Sequence, residues 1–165
     1  MCFVALVVSP SVVAQSEEMF SIYLVRHSEK DLNSEHTSDL PLSECGEQRS
    51  AALSNFLDDV HLDAVYSTDY TRTLNTALPS ANDRDLNITL YNTQDLELIA
   101  NMLLESRQNA LVVGHSNTTG VLAGLLVNQE IGDINLDIYD RIYQVVISGE
   151  SSQLQMFHSA FECVQ

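Results

Sequence analysis

Two histidines in this sequence each follow a short apolar run. Ile22-Tyr23-Leu24-Val25 leads into Arg26 and His27, and Ala110-Leu111-Val112-Val113-Gly114 leads into His115. Lysine and arginine together number seven, against 23 acidic residues. Arg26 and Lys30 flank the first histidine, and Arg72 lies in Ser67-Thr68-Asp69-Tyr70-Thr71-Arg72-Thr73. Positive charge so scarce, placed at the ends of apolar runs, points to a site for an anion. The planar guanidinium matches the oxygens of a phosphate, and a nearby helix N-terminus adds to the field. Taken singly, each arginine reads as a surface ion pair. Two arginines and two histidines together carry the inference.

These residues can meet only if the elements beneath them bring them together. A short apolar run bounded by polar residues reads as a buried strand. In open α/β sheets ligands bind at the carboxyl edge of the strands. Parallel, adjacent strands ending in His27 and His115 would bring both imidazoles to that edge. Ser28 to Leu42 is polar, contains Pro41 and reads as a loop. The pattern then predicts a helix over 43–60, with Ser43 as N-cap and Ala51, Ala52, Leu53, Phe56 and Leu57 on its apolar face. A strand over 64–66 and a helix over 70–78 that stops before Pro79 follow. Next come a strand over 86–91 and an amphipathic helix over 94–106, with Leu96, Ile99 and Leu103 inward. After the 110–113 strand, a helix over 118–127 precedes two strands, 142–147 and 154–157, joined by a turn at Ser148-Gly149-Glu150. Strands alternating with helices predict an α/β sandwich with a mainly parallel sheet.

The bounds agree with one domain. A chain of 165 residues with 45% hydrophobic residues can bury its own core. A net charge of −16 repels nucleic acid and anionic membranes, so neither is expected as a partner. Residues 1–14 are nearly all apolar and end in Val12-Val13-Ala14, small residues where a signal peptidase cuts, although the basic start of a leader is missing. Fourteen residues fall short of the roughly 20 that span a bilayer. The expectation is a signal peptide over 1–14, a single domain over 15–165, and a periplasmic or secreted protein. Cys45 and Cys163 then remain; two buried thiols are the simpler reading, and an oxidising compartment permits a disulfide. No cysteine spacing suits zinc.

Leu24-Val25-Arg26-His27 followed by Glu29 resembles the signature of the histidine phosphatase superfamily, the phosphoglycerate-mutase-like proteins. Pro41-Leu42-Ser43 with Gly46 is similar to that family's helix-opening segment, Ser67, Arg72, Thr76 and Ala77 to its second-strand motif, and Val113-Gly114-His115 to the segment bearing its second histidine. The resemblance spans residues 21–147 and implies a three-layer sandwich around a mainly parallel sheet. It also implies that His27 is a nucleophile forming a phosphohistidine, with Arg26, Arg72 and His115 around the phosphoryl group. The implied substrate is a small phosphorylated molecule, and no metal or organic cofactor is implied. A chain this short has no room for the insertions that close over substrate in the mutases, which favours a phosphatase.

Two positions depart from the family pattern. Ser28 replaces the usual glycine after the first histidine, and Ser116 stands where the acid-phosphatase branch has an aspartate. The mutase branch has a glutamate as general acid in a region where this chain offers Asp95 and Glu97. Glu97 is the candidate acid, against the simpler reading that both carboxylates favour a helix dipole. Without a dedicated acid, as in the small bacterial phosphohistidine phosphatases, substrates with good leaving groups are favoured. Two other classes stand beside this reading. One is a phosphate-binding module without turnover. The other is a serine hydrolase in which Gly114-His115-Ser116-Asn117-Thr118 acts as a nucleophile elbow, with Ser116 attacking and His158 as base. The elbow ends in threonine rather than glycine, and that reading leaves Arg26, His27 and Arg72 without a task.

Overall fold

The strand that leads into His27 lies inside the sheet, between the strand that leads into His115 and an antiparallel hairpin. The computed structural model describes residues 18–36 and 38–163. In chain order they form β1 (Met19–Arg26), α1 (Glu44–Phe56), β2 (Ala64–Ser67), α2 (Thr71–Asn82) and β3 (Ile88–Leu90). These are followed by α3 (Leu96–Ser106), β4 (Ala110–Gly114), α4 (Thr119–Val127), β5 (Arg141–Ser148) and β6 (Ser151–His158). The six strands form one sheet in the order β3-β2-β4-β1-β5-β6. The first four in that order run parallel, while β5 runs antiparallel to both β1 and β6.

Alternation along the strands sends side chains to two separate cores. Tyr23 and Val25 of β1 and Leu111 and Val113 of β4 pack with Leu53, Leu57 and Ala77 beneath α1 and α2. Ile22 and Leu24 of β1 and Val112 of β4 pack with Ile99, Leu103 and Leu122 beneath α3 and α4. Helices therefore cover both faces, giving the expected three-layer α/β sandwich with a mainly parallel sheet. Ser43 is the N-cap of α1, its hydroxyl accepting from Gly46 N at 3.1 Å. Gly46 is required there because a Cβ would run into the Glu29 carbonyl.

Several boundaries differ from expectation, each for a local reason. α1 ends at Phe56, because Asp58 and Asp59 would set negative charge at the negative end of the dipole. Ala51 on that helix is exposed, and Phe56 is 44% exposed while leaning on Phe157 with ring centroids 6.1 Å apart. α2 does not stop before Pro79 but runs through it to Asn82. A proline inside a helix costs about 3 kcal/mol, and the residues after it are fixed by burial, Ser80 and Ala81 being fully enclosed. Leu86 belongs to the exit of α2, donating its N–H to the Ala81 carbonyl at 3.0 Å, so β3 starts later than the alternation suggests. Cys45, in the first turn of α1, is joined to Cys163 by a disulfide with Cα atoms 5.6 Å apart, so the two-thiol reading does not hold. The predicted leader lies outside the described residues. Among the described residues no helix is long and apolar enough to cross a membrane.

Candidate active site

Arg26 pairs in register with Gly114, so β1 and β4 deliver their histidines side by side at the carboxyl edge. The two imidazole centroids lie 5.6 Å apart with planes at 68°. His27 is 4% exposed, and its Nδ1 lies 2.8 Å from the Ser28 carbonyl oxygen. A carbonyl only accepts, so the ring hydrogen sits on Nδ1 and Nε2 carries the free lone pair. Burial, followed by the charges of Arg26 and Arg72, pushes its pKa down to about 3 despite the opposing bond to Ser28. His27 is therefore neutral at neutral pH, which is the state a nucleophilic imidazole needs.

Ser28, at the position where the family that the sequence resembles has glycine, sits in a buried polar niche. Its N–H donates to Thr76 Oγ1 at 2.9 Å, and its hydroxyl receives Ser50 Oγ at 3.2 Å. Gly114 has no such latitude. A Cβ there would lie 2.7 Å from Tyr91 Oη and 2.9 Å from Thr118 Oγ1. Thr118 Oγ1 in turn receives the His115 backbone N–H at 2.9 Å, fixing where that histidine leaves the strand.

Each guanidinium is held by one side and offers the other. Arg26 donates through Nη1 to the carbonyls of Leu136 (2.7 Å) and Ile138 (3.0 Å) and lies 4.0 Å over the Tyr139 ring. Arg72 lies 4.3 Å over Tyr70, with Nη1 3.6 Å from Asp39. The Nε of both arginines is buried without a hydrogen-bond partner. Both arginines also line one cleft, where their positive charge would meet an anion. Asp39 also accepts the Thr71 backbone N–H and, at 2.6 Å, the Thr71 hydroxyl, capping α2 in place of Tyr70. Although desolvation opposes it, these bonds and the Arg72 charge hold the Asp39 carboxyl below its usual range.

His115 places Nε2 2.9 Å from Thr68 Oγ1 and meets the Tyr70 ring edge-on at 5.1 Å. Burial first, then Arg72, Arg26 and Lys30, lowers its pKa to about 4. Arg26, His27, Lys30, Arg72 and His115 line one open cleft of about 310 Å³, with Ser116 to Thr118 on its wall. That volume suits a phosphoryl group with a small leaving group.

Arg26, His27, Arg72 and His115 are thus brought together; Glu97 is not. It is exposed in the first turn of α3 and does not line the cleft, while Asp95 caps that helix by accepting Leu98 N at 2.9 Å. No carboxylate lines the cleft among the described residues. Ser116 lies on the cleft wall, but His158 pairs with Asp140 at 2.9 Å. No hydrogen bond joins Ser116 to a histidine among the described residues, so the elbow lacks its base. Asp39, Thr68 and Tyr139 were not singled out from the sequence. Thr68 had a signal in its place at a strand end; Asp39 and Tyr139 lie in loops with none.

The histidine phosphatase superfamily (branch 1) profile matches residues 22–97. Among solved structures, the protein histidine phosphatase SixA complexed with tungstate is 17% identical, with a TM-score of 0.71, covering 85% of this chain and 97% of that one. The alpha-ribazole phosphatase of Shigella flexneri is 17% identical, with a TM-score of 0.69 and coverage of 88% and 100%. The phosphoserine phosphatase of Entamoeba histolytica, in complex with 3-phosphoglyceric acid, is 15% identical, with a TM-score of 0.67 and coverage of 86% and 98%. At these identities the likeness establishes the shared fold. No curated protein matches the chain in sequence.

Proposed function

We propose that this chain, of the histidine phosphatase superfamily, hydrolyses a phosphomonoester or phosphoramidate through a phosphohistidine on His27. The observation that best supports this is the tautomer of His27, with Nδ1 committed to the Ser28 carbonyl and Nε2 left free. In the proposed reaction Nε2 attacks phosphorus in line as the bond to the leaving group breaks. Arg26, Arg72 and His115 stabilise charge on the equatorial oxygens. Water then attacks the phosphohistidine, releasing phosphate and restoring His27. The cleft is open enough for water to reach that intermediate, which favours hydrolysis over transfer.

The substrate class follows from charge and size. A cationic cleft in a chain of net charge −16 favours a small phosphorylated molecule over a polyanion. Phosphoramidates, whose leaving nitrogen departs readily once protonated, fit a cleft that no carboxylate lines among the described residues. Export is part of the same proposal, supported by the leader-like start and the Cys45–Cys163 disulfide.

The test is a rapid quench of enzyme with phosphoryl-labelled aryl phosphate. An acid-labile, base-stable label is expected, lost in His27→Ala together with turnover and retained in Ser116→Ala. Full turnover in His27→Ala would reject the reading. Phosphate binding without label or turnover would leave the binding module in its place.

A further inference from the structure

The tautomer of His115 is decided by two threonines behind it. Thr73 Oγ1 lies 2.8 Å from the Tyr70 carbonyl and 2.9 Å from the Thr68 carbonyl. Carbonyls only accept, so the single hydroxyl hydrogen of Thr73 is committed to the backbone. The 2.9 Å contact between the two hydroxyls is then filled by the Thr68 hydrogen. Thr68 has no second hydrogen, so its 2.9 Å contact with His115 Nε2 is a bond donated by the imidazole. Both threonines are buried, and water does not compete for these bonds. Neutral His115 therefore carries its hydrogen on Nε2 and a lone pair on Nδ1. His27 has the opposite arrangement.

A lone pair on Nδ1 repels a phosphoryl oxygen, so His115 stabilises phosphoryl charge only with Nδ1 protonated. Among the described residues, no carboxylate lines the cleft to protonate a leaving group. We infer that His115 takes up a proton at Nδ1 when the phosphorylated substrate binds and delivers it to the leaving group. This rests on His27 as the nucleophile and adds the missing general acid. As the P–O bond to the leaving group breaks and the P–Nε2 bond to His27 forms, the Nδ1 hydrogen passes to the leaving oxygen and His115 becomes neutral. In the second half, water oxygen bonds to phosphorus, the P–Nε2 bond breaks, and a water proton passes to Nδ1. Release of phosphate returns that proton to solvent, and one water is consumed.

The groups facing His115 are consistent with a coupled proton. Arg26, Arg72 and Lys30 disfavour its cationic form in the empty cleft, with His27 at 5.6 Å and Tyr70 at 5.1 Å. A phosphate dianion among the same cations offsets most of their charge, and its oxygens accept from a protonated Nδ1, which favours the cationic form. Thr68 and Thr73 act as positioning residues, fixing which nitrogen is free.

NMR of the histidine ring nitrogens, with and without inorganic phosphate at mildly alkaline pH, reads this directly. The free protein is expected to show Nε2–H on His115 and Nδ1–H on His27. Phosphate should convert His115 to the doubly protonated form, with uptake of about one proton per phosphate in calorimetry across buffers. His115 remaining neutral with phosphate bound, or Nδ1–H in the free protein, would overturn the inference while leaving the His27 reading intact. No phosphate binding at all would overturn both. In a series of phosphoesters, Thr68→Val should lose on the order of a hundredfold on alkyl phosphates and far less on p-nitrophenyl phosphate. Thr68→Ser should restore the rate. Equal losses across the series would reject His115 as the acid, and Thr73→Val repeats the comparison through a residue farther from the ring.

Discussion

The His27 backbone N–H donates to the Gly114 carbonyl oxygen at 2.9 Å. This bond extends the β1–β4 ladder one residue beyond the end of β1. It ties His27 to the peptide that precedes His115. The spacing of the two rings is therefore set by sheet geometry, which is stiff, rather than by loop conformation.

Arg72→Ala removes a guanidinium whose Nε is buried and unpartnered. Hydrogen bonds to charged groups contribute roughly 1.5–3 kcal/mol, so phosphate should bind about ten- to a hundredfold more weakly. Calorimetric titration with inorganic phosphate measures this. Unchanged affinity would remove Arg72 from the site.

Gly114→Ala forces a methyl group against Tyr91 Oη and Thr118 Oγ1. Overpacking of this kind costs about 1–3 kcal/mol. Because Thr118 Oγ1 also holds the His115 N–H, turnover should fall further than stability does. Thermal unfolding and steady-state rates check the two effects, and adding Tyr91→Phe should recover part of the lost Tm.

The depressed pKa of His27 makes stability depend on pH. The folded value of about 3 lies below the ordinary 6.5, so the unfolded chain binds the extra proton between them. Stability from this group is complete above 6.5 and is lost as pH falls toward 3, by at most ~1.4 kcal/mol per pH unit. Chemical denaturation of wild type and His27→Gln across that window should show the steeper acid loss in wild type. Parallel curves would contradict the neutral, buried histidine.

Reduction of the Cys45–Cys163 bond opens a closure spanning 118 residues. Links of that length stabilise by about 2–5 kcal/mol. Cys163→Ser, or a reductant, should lower Tm by on the order of 10 °C for a chain of this size. Arg49 binds both Glu29 (2.7 Å) and the Phe161 carbonyl (3.1 Å), so the C-terminal segment should be the first part to gain protease sensitivity.

Much of the fold was legible because the signals were local. The apolar runs before His27 and His115 have a strand's length, Ser43 is a good cap, and helix periodicity marks the buried side of α3 at Ile99 and Leu103. Boundaries were less legible where packing overrides propensity. Pro79 stays helical because Ser80 and Ala81 are enclosed, and Phe56 stays half exposed because the core beneath α1 is already filled by Leu53 and Leu57.

The sequence by itself determined which side chains could hold a phosphate, and that each stands beside a strand end. Residue type, spacing and periodicity act over a few residues, and they suffice for that. Only the tertiary structure decided which of them meet. It set β4 between β1 and β2, bringing His27, Arg72 and His115 to one cleft, and left Glu97 on an exposed turn outside it. It also brought Asp39 to Arg72 and Tyr139 to Arg26, and aligned Thr68 and Thr73 behind His115. These partners are separated by 5 to 113 residues along the chain, as 68 is from 73 and 26 from 139. Contacts at the long end of that range are selected by the packing of two whole cores around one sheet, for which no short stretch of sequence carries the information.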